Sequence, residues 1–159
     1  MQEQTKTRTQ VVGVFYEDGR EVRRFETTNF LTELGEAHIA DQMSDQGQAA
    51  MSHMAVGTGS GQTAADTALD TEIARVALDA TYPKQGTGAT DTILNRVVRD
   101  NEVLYRGTFP AGTGTGTITE VAVFNDATTG TMLNYAVENQ PKAAGQELIL
   151  VIALTLGVS

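Results

Sequence analysis

Residues able to do chemistry are few in this chain, and the most suggestive run from Met54 to Asp79, MAVGTGSGQTAADTALDTEIARVALD. A short apolar segment leads into Gly57-Thr58-Gly59-Ser60-Gly61, and a helix-like stretch follows. Gly59, Gly61 and Ala64 have the spacing of a dinucleotide-binding turn, and Asp79 lies about twenty residues on, where a ribose-binding acid belongs. Two features oppose that chemistry. The helix would begin only at Asp66 or Thr67, which sets a carboxylate or hydroxyl where bare N–H groups should meet pyrophosphate. The rest of the chain also lacks the βαβ units that build a nucleotide crevice. A P-loop is excluded because it needs a lysine, and Gln62 stands nearest to that position. The glycines therefore read as a turn that permits positive φ and close backbone packing.

Other reactive groups are isolated. His38 and His53 lie fifteen residues apart with no further ligand at metal spacing. Asp66 with Asp70, and Asp70 with Glu72, are explained by helix ends. Asp41-Gln42-Met43-Ser44-Asp45 has no Ca²⁺-loop frame, and Gly59-Ser60-Gly61 is not a nucleophile elbow. With no cysteine there is no disulfide, thiolate site or thiol nucleophile. The residues point to a chain without catalytic machinery, metal or cofactor.

Composition narrows the partners. The 159 residues fit one domain with a real core, 40% hydrophobic and 19% charged. Eleven Lys and Arg against twenty Asp and Glu give a net charge of −9, which repels a phosphate backbone. Arg20, Arg23 and Arg24 form the one cationic cluster, and Glu17, Asp18, Glu21 and Glu26 surround it. Nucleic acid is not an expected partner. Neither is a membrane: the longest apolar run, Leu148 to Leu156, is about half of a spanning helix. The polar start, MQEQTKTRTQ, has no apolar signal-peptide core.

The elements that would position these residues are mostly strands. Residues 1–10 read as a flexible arm, and residues 11–159 as a single β-rich domain. Val11–Tyr16 and Glu21–Thr27 flank Asp18-Gly19, a strong hairpin signal. Thr32 can cap a helix with Glu33 and Glu36 in its first turn, fading near Ser44. Ser52–Val56 reads as a strand, residues from 66 to about Ala74 as a second short helix, and Arg75–Tyr82 as extended. Hairpins are predicted for Ile93–Arg99 with Glu102–Phe109 and for Thr117–Asn125 with Thr131–Glu138. The last strand, Glu147–Leu156, is apolar on both faces and belongs inside a packed sheet. Such short connections force antiparallel pairing. The fold class predicted is mainly β: an antiparallel sandwich or barrel with two short helices.

Four segments in order, NFLTELGEAHIADQM (29–43), MAVGTGSGQTAADTALDTEIARV (54–76), YRGTFPAGTGTGTITEVAVFNDATTGTML (105–133) and ELILVIALTLGVS (147–159), carry a resemblance. The chain resembles a family of tailed-bacteriophage virion structural proteins. Val56-Gly57-Thr58-Gly59 with Asp66-Thr67-Ala68-Leu69, and Phe109-Pro110-Ala111-Gly112 with Ile118-Thr119-Glu120 and Phe124-Asn125, are its most diagnostic pieces. The resemblance implies a non-enzymatic virion component. Its first expectation is a decoration protein on the outside of the head, bound to the major capsid protein; its alternative is a tail-fibre or baseplate component, bound to tail proteins, with a host-recognition role. A dimer or trimer is expected in either place. The arm, through Gln4, Thr5, Lys6, Thr7, Arg8 and Thr9, is the expected partner-binding segment.

Overall fold

The computed structural model describes residues 6–158. Eleven strands and one helix follow in chain order. They are β1 (Lys6–Glu17), β2 (Arg20–Leu31), α1 (Glu33–Ser44), β3 (His53–Gly57), β4 (Glu72–Ala77), β5 (Lys84–Gln85), β6 (Thr90–Asp91), β7 (Arg96–Val97), β8 (Glu102–Phe109), β9 (Gly116–Phe124), β10 (Met132–Lys142) and β11 (Glu147–Val158). Nine of the strands form one curled antiparallel sheet in the order β4-β3-β9-β10-β2-β1-β11-β8-β5, and β6 pairs only with β7. The curl brings the far ends together. Leu78, just past β4, bridges to Gly107 in β8, so the sheet closes on itself at one point as a barrel does.

Local chemistry explains the strongest elements. Asp18 and Gly19 both take positive φ, 50° and 78°, the conformation of the tight hairpin turn that joins β1 to β2. Thr32 caps α1: its hydroxyl accepts from Gly35 N at 2.8 Å and donates to Met132 O at 2.5 Å, fastening the helix start to β10. Gly35 has no side chain because β10 runs against it, and a Cβ there would strike the Leu133 carbonyl.

β11 lies between β1 and β8, covered on both faces as its double apolar pattern requires. Leu148, Leu150, Ile152 and Leu154 join Val11, Phe15, Phe109 and Val121 in the interior. Ile149, Val151 and Ala153 point outward, where Ile93, Leu94 and Val98 cover them together with Val12 and Val14.

Three sequence expectations are corrected. The second helix, 66 to about Ala74, does not form: residues 58–71 make an irregular strap and Glu72–Ala77 is strand β4. The amides of Asp70 and Thr71 donate to the Glu120 carboxylate, leaving them no role in a helical ladder. Ile93–Arg99 is not a long hairpin strand. Asp91 Oδ1 accepts from the amides of Ile93 and Leu94, folding a small β6–β7 ribbon whose apolar residues cap the sheet. Lys6–Gln10, read from sequence as the second half of a flexible arm, form the start of β1, because β11 pairs along them from Val158 to Ala153. Residues 1–5 of that arm lie outside the described residues.

Candidate functional site

The glycine run is ordered around a carboxylate supplied by the chain itself. Glu120 lies in β9 within the apolar run Ile118–Phe124 and is fully buried. Its Oε2 accepts from Gly59 N at 2.9 Å and Thr71 N at 3.1 Å. Its Oε1 accepts from Asp70 N at 2.7 Å and from the Gln62 side-chain amide. A buried carboxylate with no cation partner is tolerable only when its lone pairs are met in this way. The glycines are required by this closeness: a Cβ on Gly59 would stand 2.5 Å from Asp70 Cβ, and one on Gly57 2.5 Å from Thr71 O. Thr119 Oγ1 donates to Gly59 O, Ala64 O accepts from Glu33 N, and Leu69 packs with Phe124, Met132 and Tyr135. The strap is thereby tied to β9, to α1 and to the outer face of the sheet.

This arrangement disposes of the nucleotide spacing. The Gly59 amide, which a dinucleotide turn would aim at pyrophosphate, is already spent on Glu120. Gly61 takes a positive φ of 78° in an open turn. Asp79 is bound elsewhere: its Oδ2 accepts from Arg106 Nε at 2.9 Å and Thr108 Oγ1 at 2.8 Å, pinning the barrel closure beside Leu78 and Gly107. Sequence reasoning did not single out Glu120 as the organiser of the strap. The readable signal was an acid inside an otherwise apolar strand, which demands a set of donors from another segment.

A second buried carboxylate holds the segment that covers the opposite face. Glu102 receives both Arg96 Nη1 at 2.9 Å and Nη2 at 2.6 Å, together with Arg99 N and Thr155 Oγ1. The Arg96 hydrogen bonds, aided by the Arg99 amide, lower the Glu102 carboxyl to about 2 despite its burial. Burial alone pushes the Tyr105 phenol up to about 12.

The histidines are separate. His38 Nδ1 meets Gln48 Oε1 at 3.1 Å, and His53 Nδ1 meets Ser52 Oγ at 2.8 Å. Among the described residues no three His, Cys, Asp or Glu side chains come together as metal ligands. No helix among them is long and apolar enough to cross a membrane.

Of the expected partner-binding residues, Gln4 and Thr5 lie outside the described residues, and Lys6, Thr7, Arg8 and Thr9 are on β1. Thr7 and Arg8 are exposed. Thr9 is buried and donates through Oγ1 to Asn29 O at 2.5 Å, so its part is to join β1 to β2. A groove of about 500 Å³ opens beside them, lined by Thr7, Arg8, Gln10, Thr28, Asn29 and Arg96 among others.

Searches of curated proteins and of solved structures return no match to the chain. The family model described as phage tail-collar fibre protein, N-terminal, matches residues 25–148. That span runs from the middle of β2 into β11, and includes α1, the glycine strap and Glu120. The motif pairs fall within that span: Val56–Gly59 runs from the end of β3 into the strap, Asp66–Leu69 lies in the strap, and Ile118–Glu120 carries the carboxylate that holds it. The chain belongs to the phage tail-collar fibre family, a group of tailed-phage virion structural proteins.

Proposed function

We propose that this chain is a structural part of the tail, a collar-fibre module that joins tail proteins through its surface and carries out no catalytic step. The family match over residues 25–148 is the observation that carries this reading. It favours the tail alternative over a decoration protein on the head, and gives no support to the major capsid protein as partner. The architecture suits the role. Straps and cover segments are held to the sheet by internal ligands, Glu120 and Glu102, which makes a stiff body around a continuous interior. The host-recognition role suggested by the resemblance belongs to the same tail reading.

The module works as a closed homo-oligomer, a dimer or trimer, since identical subunits in closed symmetry are the common solution for such parts. Gold-labelled antibody raised against the folded chain, viewed on intact particles, tests the placement. Label confined to the tail region is expected; label distributed over the head would overturn the reading.

A further inference from the structure

β1 and β2 separate at a fork. Their last residue pair is Thr9 with Asn29, and the next residues of β2 pair with β10, through Phe30–Tyr135 and Leu31–Asn134. β1 continues for three more residues, Lys6–Arg8, which pair with β11 on one side across a register shift between Lys6 and Arg8. Three strand residues span about 10 Å, so an edge of that length faces the groove with no strand beside it among the described residues. Edges of this kind are templates for another strand unless they are blocked.

The side chains in the fork are also incomplete. Asn29 is 8% exposed, and both its amide oxygen and amide nitrogen lack any hydrogen-bond partner. An unpaired buried amide costs stability, and it carries the same donor and acceptor as a peptide unit. Arg8 is exposed with no carboxylate partner among the described residues, in a chain of net charge −9. Of the other charged groups around the groove, Arg96 is bound by Glu102 and Gln10, and the exposed Glu26 accepts from the neutral Gln10 amide and keeps its charge. A free backbone edge, an orphan amide and one uncommitted cation thus line the same groove of about 500 Å³.

We propose that the fork receives an extended peptide segment from a partner protein, added as a short strand along Lys6–Arg8. The segment's backbone pairs with the β1 edge, one of its peptide groups meets the Asn29 amide, and an acidic residue of the segment meets Arg8. Strand addition of this type takes affinity from main-chain bonds and selectivity from neighbouring side chains. The inference rests on the reading of the chain as an assembly module, and narrows its partner to a protein that offers an acidic, extended segment.

The test uses the full chain and an array of overlapping synthetic peptides that tile the other structural proteins of the same particle. Wild type should capture peptides from a tail protein, and hydrogen exchange should show new protection of the amides of Lys6–Arg8 in the complex. Asn29→Leu should fold at least as stably as wild type, since it removes an unpaired buried amide, yet bind the captured peptide about tenfold more weakly. Arg8→Glu, at an exposed position, should weaken acidic peptides by a similar factor and keeps the test sound if Asn29→Leu misfolds. Capture that is equal in wild type and Arg8→Glu, or that leaves Lys6–Arg8 unprotected, would overturn the inference, as would a wild-type chain that captures nothing. Capture of peptides from the head shell alone would uphold the fork while contradicting the tail placement.

Discussion

Glu120→Ala is the perturbation that asks most of the structure. It removes an acceptor from Gly59 N, Asp70 N, Thr71 N and the Gln62 amide at once. Leaving a buried donor unpaired costs about 1–3 kcal/mol. Gln62 can turn to solvent and the strap can relax, so the four losses do not add fully. A net loss of about 3–5 kcal/mol follows. For a domain of this size that corresponds to about 6–20 °C in Tm. Thermal and urea unfolding followed by circular dichroism would measure it. Hydrogen exchange would localise it, with the amides of Gly59, Asp70 and Thr71 losing protection ahead of those in β1 and β11. Glu120→Gln keeps the shape but turns an NH₂ toward donors, and should fall between alanine and wild type. A shift of under about 2 °C for Glu120→Ala would refute the claim that this carboxylate holds the strap. So would an equal loss from Gln62→Ala, which removes one donor and leaves the backbone amides satisfied.

Three other outcomes are expected. Because the Glu102 carboxyl is lowered from its ordinary 4.5 to about 2, it contributes stability that is complete above pH 4.5 and is lost as the pH falls toward 2. Urea midpoints measured across that range should fall in wild type and fall less steeply in Glu102→Gln; the residual slope reports groups such as Asp126, which the Thr128 and Thr129 amides also lower to about 2. Thr32→Ala should cost about 1–2 kcal/mol, read from urea unfolding, since it removes the cap of α1 and the tie to Met132 O. Gly35→Ala should cost about 1–3 kcal/mol by forcing α1 away from the Leu133 carbonyl, with exposure of His38 as a second readout by its NMR shift.

Elements governed by neighbouring residues were legible in the sequence. Asp18-Gly19 specifies its hairpin through positive φ, and Thr32 with Glu33 and Glu36 specifies a helix start, because the deciding contacts lie within a few residues. The two-faced apolar pattern of β11 placed it inside the sheet. What could not be read was decided at long range. The strap at 58–71 depends on Glu120, some fifty to sixty residues away, which outbids the local tendency of residues 66–74 toward helix. Lys6–Gln10 look like a polar arm because nothing local favours a strand; their partner is the far end of β11. The ribbon at 90–97 is the exception: it follows from a local turn, with Asp91 taking the amides of Ile93 and Leu94, hidden inside a pattern that reads as alternating.

The candidate site divides differently. Of the residues the sequence suggests for partner binding, Thr7 and Arg8 have exposed side chains beside the groove, and their binding role is a proposal. Thr9 was named with them but is buried against β2. Asn29 was not identified from sequence as a site residue, since an asparagine in a polar β-strand carries no sign that its amide will be left without partners.

Stoichiometry separates a tail part from a head part. Quantitative mass spectrometry of purified particles, with labelled peptides from this chain and from the major shell protein as standards, gives copies per particle. A tail part gives a small fixed number, far below one for every few shell subunits. A number comparable with that of the shell protein would contradict the tail reading and return the chain to the surface of the head.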